Sequence, residues 1–197
     1  NYLVRLGWSH GDQEIFSLEE LIQLFDLTAV NKAPSAFNPD KLLWLNQHYF
    51  KTSDPAHVAR HLSWHIGQLG IDPSEGPELA EVVKAFRERA KTLKEMAENA
   101  AFLYREFAAY EDKAAGKNLN AAAEAPLQKL HQALAAVPEW QADAIHAAVN
   151  QVAETTGLAL GKVAQPLRVA VSGTSVSPPI DVTLELLGRQ RTLARIE

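Results

Sequence analysis

The 197-residue chain carries 19 Lys and Arg against 24 Asp and Glu, a formal net charge of −5, with 47% hydrophobic residues and no cysteine. That apolar content suffices for a packed core, and the missing thiols exclude a disulfide framework and cysteine chemistry. The acidic balance argues against a generic binder of nucleic-acid backbone; no apolar run reaches the roughly 18 to 20 residues of a membrane span and no basic, apolar leader opens the chain, so a cytoplasmic location is expected.

The hydrophobic period is helical almost everywhere and strand signals are nearly absent, which predicts an all-α fold. Ser17-Leu18-Glu19-Glu20 is a capping box ahead of Leu21, Ile22, Leu24 and Phe25. Asn38-Pro39 and Asp54-Pro55 each place a capping side chain before a proline at the first helical position, and Gly70 is expected to close the second of these helices. A helix is predicted over Pro77–Arg89, and Thr92-Leu93-Lys94-Glu95 reads as a second capping box opening a helix over Leu93–Tyr110. Further helices are predicted over Ala121–Ala136, Trp140–Thr155, Lys162–Val171 and Pro178–Leu187. The stretch Ile71–Pro77, with two prolines and a glycine, reads as a domain boundary, and Lys113–Asn120 as an inter-helix loop.

Residues that could carry chemistry are few. His57, His61 and His65 recur every four residues along one helix, but the glutamate of an HExxH site is absent and successive steps drift around the axis, so no metal site is expected. His65-Ile66-Gly67-Gln68 shares three residues with the HIGH signature of class I synthetases, yet it lies within an amphipathic helix rather than behind a strand. No Gly-x-Ser-x-Gly elbow and no glycine-rich phosphate loop occurs, so no catalytic residue is expected in this chain. Charge is uneven: from Leu158 onward five positive residues face three negative ones, a local +2 that leaves −7 on the remainder.

Two C-terminal motifs are more specific. Gly161-Lys162-Val163-Ala164-Gln165-Pro166-Leu167-Arg168 precedes a Ser172-Gly173 turn, and Ser177-Pro178-Pro179 opens a segment closing on Leu186-Leu187-Gly188. Together with NYLVRLGWSHGD at residues 1–12 and KLLWLNQHYFK at 41–51, they resemble the part of bacterial glutamyl-tRNA synthetases that follows the KMSKS-type catalytic loop. The resemblance spans the chain. No KMSKS-like loop and no nucleotide-binding βαβ pattern is found, and Asn1 falls in an apolar, helix-like run without a cap, so the start reads as a cut and the chain as lacking its own active site.

The resemblance implies a stem-contact region over residues 1–70, one helical anticodon-binding subdomain over 71–156 and a second over 157–197, truncated at its C-terminus. It implies that Arg168, Ser177, Pro178 and Ile180 contact the anticodon loop of tRNA(Glu), and that one of Arg87, Arg89 or Lys91 reads its last base. The bare residues leave open that Ser177 is an ordinary N-cap with Pro178 at N1, and that Glu81, Lys84, Glu88 and Lys91 merely form charge pairs along a solvated helix. By the same resemblance the full-length enzyme would use ATP, Mg²⁺ and L-glutamate, whereas this chain would take no cofactor, act as a monomer and supply only tRNA recognition. A helical protein-interaction module, presenting Trp44, Trp64 and Phe86 to a partner helix, is the alternative.

Overall fold

The computed structural model describes residues 1–197 and is all-helical. Eleven α-helices run in chain order: α1 (Leu18–Leu24), α2 (Pro39–Thr52), α3 (Pro55–Gln68), α4 (Leu79–Phe86), α5 (Leu93–Ala100), α6 (Asp112–Asn118), α7 (Ala121–Ala135), α8 (Ala142–Thr156), α9 (Leu160–Ser172), α10 (Ile180–Leu187) and α11 (Arg189–Ile196). The expected caps form. Ser17 and Glu20 close a reciprocal box, Asn38 accepts from the Lys41 amide, Asp54 from the Ala56 amide and Thr92 from the Glu95 amide. The box at α5 is displaced by one residue, because the Glu95 carboxylate takes the Lys91 amide instead of that of Thr92.

Four segments depart from the expected helices. The helix opened by Thr92 stops at Ala100 and tightens into a 3₁₀ turn over Ala101–Leu103. Phe102, Leu103 and Tyr104 are consecutive and all buried in this turn. Residues 113–120 are not a loop: Asp112–Asn118 form α6, a short helix that buries only Ala114 and so shows no apolar period. Arg189–Ile196 form a helix that the sequence reading lacked; Gly188, at φ +84°, turns the chain between α10 and α11, and the Thr192 amide donates back to its carbonyl. The helix expected from Pro77 is also shorter, beginning at Leu79 and ending at Phe86.

One cluster of 32 buried side chains begins at Phe50 and extends to Ile196. In it α3 packs on α4 and α5, α7 on α8 and α9, and α10 on α8, while α11 lies across α7 and α9. The expected divisions at 70/71 and 156/157 both fall within this cluster. Tyr104 reaches across the 71–77 stretch, its hydroxyl donating to the Pro77 carbonyl at 2.8 Å and its ring lying where a Cβ on Gly76 would stand. At the far end Arg195 donates to the carbonyls of Val171, Phe102 and Arg105 and to both Glu106 carboxylate oxygens, fastening α11 to α9 and to the segment after α5.

Candidate nucleic-acid interface

The link between α4 and α5, residues 87–92, is held from outside by α2. Asn46 Nδ2 donates to the Lys91 carbonyl at 2.6 Å and Gln47 Nε2 to the Glu88 carbonyl at 3.1 Å. Arg87 Nη1 donates to the Lys51 carbonyl, and the Lys51 ammonium pairs with Glu88 at 2.6 Å. Of the charge pairs anticipated along α4 only Glu81–Lys84 forms, since Glu88 turns to Lys51 instead. Arg87 is thus engaged by the protein's own backbone, whereas Arg89 is exposed and joins no ion pair.

Arg168 stands on α9 facing the turn that leads into α10. Its Nη1 donates to the carbonyls of Ser177 at 3.0 Å and Pro178 at 2.6 Å, and also contacts the Ser177 hydroxyl. All three contacts leave from one nitrogen, so Nε and Nη2 remain for other acceptors. Burial pushes the Arg168 guanidinium below its ordinary pKa; the nearby positive charge of Arg89 pushes the same way, and Asp181 opposes them. Asp181 is shared, its carboxylate lying 3.0 Å from His146 Nδ1. The positive charge of Arg89 is thus felt at Arg168 from an element over 70 residues away in sequence.

The 172–180 turn differs from its expected form. The α10 helix begins at Ile180, with Pro179 rather than Ser177 at the N-cap position and no side-chain cap. The second proline disfavours helical backbone at Pro178, which delays the start. Ser177 is buried, and its hydroxyl meets Thr183 Oγ1 and the Pro178 carbonyl, each at 3.0 Å. Pro178 and Ile180 are buried as well, so they support the turn from behind. Its outer surface is formed by Thr174, Val176 and Pro179. Val176 is 68% exposed, and nothing in the sequence marked it, because its exposure follows from the inward rotation of Ser177.

The other candidates lie elsewhere. His57 and His61 stand edge to face on the exposed side of α3, with Arg60 Nη2 3.0 Å from His57 Nδ1. Ile66 of the HIGH-like tetrapeptide belongs to the core. Trp44 and Trp64 are exposed, but Phe86 is buried in the main cluster and cannot serve the apolar docking face expected of it.

Residues 56–197 match the family described as the anticodon binding domain. Over the whole chain, 61% of residues are identical to "Glutamate--tRNA ligase 1" of Nitrosococcus oceani and 58% to the like-named protein of Alkalilimnicola ehrlichii, and in each case the match covers 42% of the relative. The chain therefore spans less than half the length of these relatives. A crystal structure of a glutamate tRNA ligase from Elizabethkingia meningosepticum superposes with a TM-score of 0.87 at 26% identity, covering 99% of this chain and 39% of that one. With the family match extending from α3 to the last residue, this chain belongs to the anticodon binding domain family.

Proposed function

We propose that this chain recognises the anticodon loop of tRNA(Glu) as part of a glutamate–tRNA ligase, with ATP, Mg²⁺ and L-glutamate handled by other parts of such an enzyme in the cytoplasm. The observation that carries the reading is Arg168 clamping the turn at Ser177 and Pro178, set within a family match that includes both Arg168 and Arg89. Splayed loop bases present acceptor edges and π faces, which guanidiniums engage by hydrogen bonds and stacking. Arg89 is the reader favoured among Arg87, Arg89 and Lys91, because the Arg87 side chain is bonded to the Lys51 carbonyl and the Lys91 ammonium lacks the planar donor fork that matches a base edge. Arg168 plays two parts: Nη1 sets the shape of the turn while Nε and Nη2 meet the RNA. Ser177, Pro178 and Ile180 act through the turn's backbone and through Val176 and Pro179 on its surface.

In this scheme residues 1–70 rest against the tRNA stem, 71–156 carry Arg89, and 157–197 carry Arg168 and the turn, the whole acting as a monomer. The test is binding of tRNA(Glu) and of an anticodon-swapped tRNA to the parent chain and to Arg89→Ala. Removing a base-reading guanidinium costs about 1 to 3 kcal/mol for the cognate and narrows the cognate-to-swapped ratio. The isolated chain is expected to show no ATP-dependent glutamyl transfer. An Arg89→Ala chain that keeps the parental ratio removes Arg89 from the reading, and a parent chain that fails to bind tRNA removes the reading itself.

A further inference from the structure

Beside the 172–180 turn, α6 and the start of α9 enclose a second feature that the anticodon reading does not use. It is a cleft of about 580 Å³ lined by Lys113, Lys117, Lys162, Asn118, Gln165 and Ser175 among others. A smaller hollow of about 210 Å³ continues it and shares Lys117, Asn118 and Lys162. Lys113 and Lys117 are one turn apart on α6, and Lys162 faces them from α9. The protein's lysine ion pairs involve Lys41, Lys51, Lys84 and Lys94, so the three cleft lysines carry uncommitted charge. Glu111 is the one carboxylate in the lining, leaving it net positive in a chain whose overall charge is −5.

We propose that this cleft holds backbone phosphates of the tRNA strand that flanks the anticodon bases, an inference that rests on the tRNA reading above. Three features select the ligand. Lysines, two side-chain amides and a hydroxyl all donate to phosphate oxygens. No aromatic ring lines the cleft, its only apolar contributors being Ala114 and Ala159, so a base finds nothing to stack on. Ser175 belongs both to the cleft and to the turn that Arg168 clamps, so a strand crossing Val176 reaches the lysines without leaving the surface. Bases are read on one side of the turn and backbone is neutralised on the other.

The test uses the whole chain with Lys113→Gln, Lys117→Gln and Lys162→Gln combined, beside a control carrying the same charge change at Lys84, Lys94 and Lys129. Affinity for cognate and anticodon-swapped tRNA is measured against KCl concentration, after circular dichroism and melting confirm that both variants fold as the parent does. With about one phosphate per lysine, the cleft variant loses roughly two to three units of the salt slope and on the order of tenfold in affinity at moderate salt. Both tRNAs weaken by the same factor, and the control changes less. The combined Lys→Arg variant keeps the slope. If the parent binds and the cleft variant matches it, or if the control falls as far, the cleft proposal is overturned while the anticodon reading stands. A cleft variant that loses discrimination at an unchanged slope overturns it too, by making the lysines base readers. A parent that binds neither tRNA removes both readings together.

Discussion

The first 49 residues bury Trp8, Phe16 and Leu45 apart from the main cluster and leave Leu3, Leu18, Ile22, Leu27 and Phe37 in solvent. From Phe50 onward, 32 buried side chains form one continuous core. What fixes the first region is mostly polar. Asn1 donates to the Phe16 carbonyl and accepts from its amide, Tyr2 is bonded to both backbone groups of Asn38, and Arg5 and Lys41 share Glu14. A hydrogen bond or exposed ion pair contributes on the order of 1 kcal/mol or less, whereas a buried leucine contributes about 1.5 to 3. Order in the first region is thus a sum of small separable links, and in the second a property of the whole cluster. The two should fail in different ways.

The largest expected effect lies in the shared core. Leu134 on α7 has no solvent exposure, and Leu134→Ala should cost about 2 to 5 kcal/mol, lowering the main thermal transition as one event. A transition split between α7 and α3 would contradict a single cluster. An intermediate effect is expected of Trp8→Ala, since Trp8 packs on Phe16 and Phe25 at ring-centroid distances of 5.4 and 5.7 Å. Amide exchange should accelerate over residues 1–35 while protection in α7 to α9 stays at the parental level. Spread of the acceleration into α8 would join the two regions more tightly than their packing suggests.

The smallest effect is set by pH. Hydrogen bonds from Lys41 and then Arg5 hold the Glu14 carboxyl below its ordinary value of 4.5. With the folded pKa below the unfolded one, the contribution of Glu14 is complete above the unfolded value and is lost as pH falls through the lower folded value. Glu20 and Asp26, lowered by the backbone amides of Ser17 and Thr28, act in the same direction and the same region. Protection over residues 1–35, corrected for the intrinsic exchange rate at each pH, should therefore fall as pH drops below about 4.5, and Glu14→Gln should weaken that response. An identical acid response in Glu14→Gln would assign it to Glu20 and Asp26.

How far the sequence discloses this molecule depends on range. The caps at Ser17, Asn38, Asp54 and Thr92 were legible because donor and acceptor lie within three residues of each other. Helix α6 was not, because seven residues burying a single alanine leave no period to detect, and α11 was hidden behind Gly188, which reads equally as an end or a corner. At the candidate site, Arg168 was singled out by a motif. The choice between Arg87 and Arg89 depends on where α2 lies, 36 residues away from the arginine it binds. The inward turn of Ser177 depends on Arg168 and Thr183, neither adjacent to it in sequence. Long-range contacts decide which residue of a motif faces outward.

The bonds from α2 to the α4–α5 link have an entropic meaning as well. Carbonyls at Glu88 and Lys91 are tied on either side of Arg89, and the Lys91 amide is bonded to Glu95. Ordering a free backbone residue costs about 1 to 2 kcal/mol, and here that cost is met when the protein folds rather than when a ligand arrives. Arg89 therefore stands on a short stretch of already immobile chain, with only its side-chain rotamers left to settle. Under the proposed reading, cutting Asn46 and Gln47 back to alanine would leave the guanidinium in place chemically and return its backbone freedom, so that affinity for tRNA would fall with every side chain of the proposed interface still present.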